Sequence, residues 1–121
     1  MIASLTSSFR NSMRGLSIAA RGERAVRQEL AVLAVAVPAA TFVADSIPGW
    51  VTLVGVVVIV LAIELLNTAI EKLCDHLHPA RHPAIGTVKD LGSAAVFCSI
   101  ALGILVWGAA LALALGRWLS A

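Results

Sequence analysis

Four polar side chains recur at spacings of 3, 4 and 4 in an otherwise apolar stretch. They are Glu64, Asn67, Glu71 and Asp75, within I-E-L-L-N-T-A-I-E-K-L-C-D at 63–75. At about 100° per residue on a helix they share one stripe, while Leu65, Leu66, Ala69, Ile70 and Leu73 cover the other faces. Glu64 follows thirteen uncharged residues, Val51 to Ile63, which places it within a membrane near one edge. An ionisable group there costs roughly 2.5–3.5 kcal/mol on insertion scales and marks a functional site by default. An amphipathic helix leaving the bilayer accounts for Glu71 and Asp75 but accounts poorly for Glu64 and Asn67. Two further polar clusters, Glu23 with Arg27 and Glu29, and Lys89 with Asp90 and Ser93, flank other apolar runs. Carboxylates without thiols or histidines favour a hard, oxygen-bound cation such as Mg²⁺, which keeps waters and shares substrate phosphates. A lysine beside them can neutralise phosphate, and a carboxylate left off the metal can act as a base. The set fits phosphoryl transfer, where positioning and charge stabilisation do most of the work. A proton- or ion-coupled transporter is the competing reading, for which three short spans are few.

The elements that must position these groups are helices in a bilayer. The chain has 121 residues, 60% hydrophobic and 13% charged, with net charge +2. Soluble domains carry about 25% charged residues, so the composition is that of an integral membrane protein. We expect a single domain over residues 1–121, of all-α membrane class: three transmembrane helices plus an N-terminal amphipathic surface helix. The surface helix is expected over about 3–22, where Leu5, Phe9, Met13, Leu16 and Ala20 form an apolar stripe beside Arg10, Arg14 and Arg21. Such a helix lies in the interface facing anionic lipid; an arginine-rich transit peptide has a similar composition. Spans are expected over about 26–46, 50–74 and 90–116. Pro38 falls inside the first, Asp45 to Gly49 reads as a turn, and His76 to Gly86 reads as a loop broken by Pro79 and Pro83. No secretory signal is expected. His76, His78 and His82 lack a cysteine pair or carboxylate at zinc-site spacing. Cys74 and Cys98 are expected as reduced thiols that pack as small apolar residues. Ala95, Ser99 and Gly103 form a small-residue face for close helix packing. Glu23 and Arg27 are spaced i to i+4, which allows a salt bridge between them.

Five of nine cations precede residue 28, and Lys72, Arg81 and Lys89 lie at the second loop, whereas the first loop has none. The positive-inside rule then puts the N-terminus and residues 72–90 in the cytoplasm and the C-terminus outside. All three polar clusters fall at the cytoplasmic interface.

The run E-L-L-N-T-A-I-E-K-L-C-D at 64–75, followed by K-D-L-G-S-A-A-V at 89–96, resembles the signature of the prokaryotic diacylglycerol kinase family. R-Q-E at 27–29, preceded by Glu23, is similar to that family's first-span entry, and R-G-L at 14–16 to its surface helix. The resemblance implies a homotrimer in the bacterial inner membrane, with a periplasmic C-terminus and active sites between protomers. It implies transfer of the γ-phosphoryl of MgATP to 1,2-diacylglycerol, or another lipid alcohol, giving phosphatidic acid. By motif, Glu64 is the general base, and Glu23 and Glu71 bind Mg²⁺. Asn67, Lys89 and Asp90 position nucleotide or phosphate, and Glu29 and Asp75 support them. The family often carries a basic residue where this chain has Ser4; Arg10 or Arg14 is the expected substitute. Undecaprenol kinase, of the same family, is the first alternative. A non-catalytic membrane scaffold or small transport subunit, with no ATP turnover, is the second. No nucleic-acid partner is expected.

Overall fold

The computed structural model describes residues 1–80 and 82–121; Arg81, counted above among the second-loop cations, lies outside them. Four helices follow in order: α1 (Ile2–Gly22), α2 (Arg24–Val43), α3 (Ile47–Leu77) and α4 (Pro83–Ser120). The last three are each long and apolar enough to cross a bilayer, so the all-α class with three candidate spans is as the composition requires. On α1 the residues Leu5, Phe9 and Met13 stay exposed, and Ala19 is buried against Val26 and Leu61.

One residue separates α1 from α2. Glu23 has extended backbone, φ −120° and ψ 118°. Arg27 caps the end of α1: Nη1 donates to Ala20 O at 3.2 Å and to Arg21 O at 3.1 Å. Carbonyls of a last turn lack helical partners, and a cation there offsets the negative end of the dipole. The Glu23–Arg27 salt bridge expected from spacing therefore does not form. The break takes Glu23 out of the register in which i and i+4 side chains meet, and its carboxylate pairs with Lys72 on α3 instead.

The two remaining connections are shorter than their prolines implied. Ser46 caps α3, its hydroxyl accepting from Gly49 N at 3.1 Å, with Pro48 in the first turn. His82 Nδ1 accepts from Ala84 N at 3.1 Å and Pro83 opens α4. Proline has no N–H to lose in the first turn and brings the right φ, so both prolines begin helices rather than interrupt loops. Residues 83–86, read above as loop, are helical for this reason.

Helix length sets depth. The 20 residues of α2 rise about 30 Å, the hydrocarbon thickness of a bilayer. The same rise along α3 from Ile47 ends near Asn67, and the remaining ten residues project beyond it. α3 is central, packing on α2 and α4, while α1 meets α2 and α3. Its buried stripe runs through Leu53, Val56, Val57, Val60, Leu61, Asn67, Thr68 and Cys74. On α4 the buried face runs through Gly92, Ser99 and Ala114. Ala95, expected on the packing face, is exposed, as is Cys98; Cys74 alone of the two thiols packs inside.

Candidate functional site

The start of α2, the end of α3 and the start of α4, the end expected to face inward, bring the polar residues together. Glu23, freed by the break after α1, reaches Lys72 Nζ at 3.3 Å. One turn of α3 links Asn67 to Glu71: Asn67 Nδ2 donates to Glu71 Oε1 at 3.3 Å. Lys89 crosses from α4 and donates to Asp75 Oδ1 at 2.5 Å. Glu64, half-buried, feels the charges of Glu71, Glu29 and Glu23. Lys89 feels Glu71 as well as Asp75. Four carboxylates from two helices and their junction thus share one neighbourhood, with two ammonium groups at its edge.

Asn67 is the most enclosed polar member, 8% exposed. Its Oδ1 is buried without a hydrogen-bond partner among the described residues. The oxygen is turned onto Gly92 of α4, at a place where a Cβ would collide with it. A C–H···O contact to the glycine is worth only about 0.5–1 kcal/mol, less than the hydrogen bond it replaces.

The chemistry of this set fits a divalent cation carried by a phosphate ligand. Among the described residues no three His, Cys, Asp or Glu side chains converge to hold an ion unaided. Mg²⁺ has no need of such a cage, since one or two carboxylates with phosphate oxygens and water suffice. Glu23 and Glu71 offer hard oxygen donors with no thiol or imidazole among them, and the unpartnered Asn67 Oδ1 sits one turn from Glu71.

Not every residue singled out by the sequence joins this cluster. Asp90 and Arg14 are exposed and make no side-chain hydrogen bond or ion pair among the described residues. Lys89 is held by Asp75, not by its neighbour Asp90. Two members were missed in the sequence. Lys72 is a lone cation inside an acidic motif, and Gly92 is a glycine one turn beyond Lys89; each carried a signal in its own exceptional type.

The model of the prokaryotic diacylglycerol kinase family matches residues 10–111 of the chain. The chain belongs to that family. The diacylglycerol kinase of Haemophilus influenzae is 34% identical over 104 residues, 86% of this chain and 88% of that protein. That of Escherichia coli K12 is 39% identical over 97 residues, 79% of each chain. The Pseudomonas aeruginosa protein of the same name is 35% identical over 96 residues, 79% of this chain and 78% of that protein. As a family member the chain is a kinase that uses ATP, and its three apolar helices make it a membrane protein.

Proposed function

We propose that the chain phosphorylates the primary hydroxyl of 1,2-diacylglycerol with ATP, giving phosphatidic acid and ADP. The observation that carries this reading is the clustering of Glu23, Glu64, Glu71 and Lys89 at one edge of the apolar spans. A lipid headgroup and an aqueous nucleotide meet only there. Glu64 lies nearest the hydrocarbon and accepts the proton of the lipid hydroxyl. The hydroxyl oxygen bonds to the γ-phosphorus as the bond from that phosphorus to the β–γ bridging oxygen breaks, and ADP leaves. Lys89 neutralises phosphate charge and is itself held by Asp75, while Asn67 orients Glu71. By the motif match, Glu29 and Asp90 are proposed to support the nucleotide site, and Arg14 on α1 to meet a lipid or nucleotide phosphate. Glu23 and Glu71 would hold Mg²⁺, which when bound neutralises the triphosphate.

The chain is proposed to sit in the bacterial inner membrane with its N-terminus cytoplasmic and C-terminus periplasmic, from the distribution of Lys and Arg. A homotrimer is proposed from the family resemblance, and it would give the exposed Asp90 and Arg14 a second surface to act on.

Purified protein in lipid–detergent micelles with MgATP should convert diacylglycerol to phosphatidic acid. Conversion of undecaprenol in preference would move the acceptor to the family's other branch. No turnover of either would leave the scaffold or transport-subunit reading. Reporter fusions at Pro79 and at the C-terminus should report opposite sides of the membrane, and the same side for both would overturn the orientation.

A further inference from the structure

We infer that Gly92 is a positioning residue for this chemistry: the notch left by its missing side chain seats the Asn67 amide, and Asn67 holds Glu71. The inference rests on the phosphoryl-transfer reading above, and it concerns a residue on the opposite helix from the groups it positions.

Gly92 is buried in the middle of the inner half of α4. Among the described residues no glycine has positive φ, so backbone conformation does not require it. Glycine is a poor helix former, and a helical position that keeps it needs another reason. Space supplies that reason. A Cβ at 92 would run into Asn67 Oδ1, whereas one at Gly55, Gly86, Gly108 or Gly116 would meet nothing within 4 Å. The amide is wedged between two fixed points. Its nitrogen donates to Glu71 Oε1, and its oxygen presses on the Gly92 backbone without a hydrogen bond. The carboxylate decides this orientation, because a flipped amide would aim oxygen at oxygen. Volume at residue 92 therefore controls the rotamer of Asn67, and that rotamer controls the one hydrogen-bond donor to Glu71 among the described residues. A methyl group there expels the amide and leaves the carboxylate free to turn.

The test is a cycle of Gly92→Ala, Asn67→Ala and the double variant, on purified protein with its oligomeric state and melting temperature recorded. A group displaced by about 1 Å loses roughly 10² in rate, so Gly92→Ala should fall by about that factor and need more Mg²⁺ for half-maximal rate. The double variant should be no slower than Asn67→Ala, because truncation at 67 opens room for the new methyl. Mn²⁺–ATP binding without lipid, followed by electron paramagnetic resonance, should weaken in Gly92→Ala. Wild-type turnover in Gly92→Ala overturns the inference. So does a loss in the Asn67→Ala background as large as in wild type, which would mean that Gly92 acts only through helix packing. If Gly92→Ala fails to fold, an equally unfolded double variant counts against the inference and a folded one at the Asn67→Ala rate supports it. A wild-type protein inactive on diacylglycerol defeats the functional reading instead; the Mn²⁺–ATP arm then decides Gly92, and equal binding in wild type and variant overturns it.

Discussion

The two ends of the bundle use polar groups in opposite ways. At the outer end, two donors cross between helices to backbone carbonyls. Arg117 Nη2 donates to Val43 O at 2.9 Å and Trp107 Nε1 to Leu53 O at 3.0 Å. Trp50 Nε1 donates to Thr41 Oγ1 at 3.3 Å, beside a core of Ala40, Val43, Leu53 and Ala114. At the inner end, side chains pair with side chains, and acceptor capacity is left over. Glu64 and Glu29 accept no hydrogen bond among the described residues, and Asn67 Oδ1 has no partner. Polar groups in or near lipid are normally satisfied within the protein, because nothing else there can do so. Under the proposed function the open carboxylates would receive a cation and a proton, whereas the Asn67 oxygen is taken up by the space at Gly92. The outer end is closed by comparison, so its residues should matter for stability and those of the inner end for turnover.

Glu64→Gln draws the contrast most sharply. A general base supplies about 10²–10⁴-fold, so turnover should fall at least that far while melting temperature, oligomeric state and MgATP binding stay near wild type. Glu64→Asp should recover little, since one methylene fewer pulls the carboxylate off the proton it must take. If Glu64 instead ties helices together, Gln would lose assembly along with activity, and the division between the two ends would fail. A smaller effect is expected at Glu71. Glu71→Gln should lower the rate severely but also raise the Mg²⁺ concentration for half-maximal rate, with the protein still folded. Near-normal rate at ordinary Mg²⁺ would remove Glu71 from the metal site.

Much of this architecture was legible in the sequence, and the exceptions share a cause. The candidate spans follow from apolar runs, and the Glu64–Asn67–Glu71–Asp75 stripe follows from helical spacing, because both are local properties. Glu23, spaced to pair with Arg27, pairs with Lys72 instead. Its pairing depends on a one-residue break in helical register, and Gly22 alone does not announce that break. Pro48 and Pro83 were read as interrupting structure when each starts a helix; the capping side chains Ser46 and His82 carried that information. Gly92 was invisible because its role exists only against Asn67 on another helix. Spacing along the chain locates chemistry, whereas partners across helices need the packed structure.

The outer end should show the reverse signature. Trp107→Phe keeps an aromatic ring but trims the indole and removes the hydrogen bond to Leu53 O, a carbonyl on a buried residue. We expect a loss of about 1–2 kcal/mol in stability, read as a lower melting temperature, with the rate of the folded protein unchanged. A fall in rate beyond twofold at full folding would show that the two ends are coupled.

The finest distinction compares two ion pairs of similar exposure. Glu23–Lys72 spans 3.3 Å at the inner end, with side chains 32% and 57% exposed, and Asp45–Arg117 spans 3.6 Å at the outer end, 69% and 40% exposed. Exposed pairs contribute about 0–1 kcal/mol, so Lys72→Met and Asp45→Asn should each change the melting temperature only slightly. They should differ in Mg²⁺ dependence. The Lys72 ammonium stands beside a carboxylate proposed to hold the metal and repels any cation that approaches it. Removing it should lower the Mg²⁺ concentration for half-maximal rate by about two- to threefold, the scale of a screened surface interaction. Asp45→Asn lies the full thickness of the bilayer away, far beyond a Debye length of about 8 Å, and should leave that concentration unchanged. An unchanged value in Lys72→Met as well would mean that Glu23 does not hold the ion. A raised value would mean that Lys72 itself contacts the nucleotide.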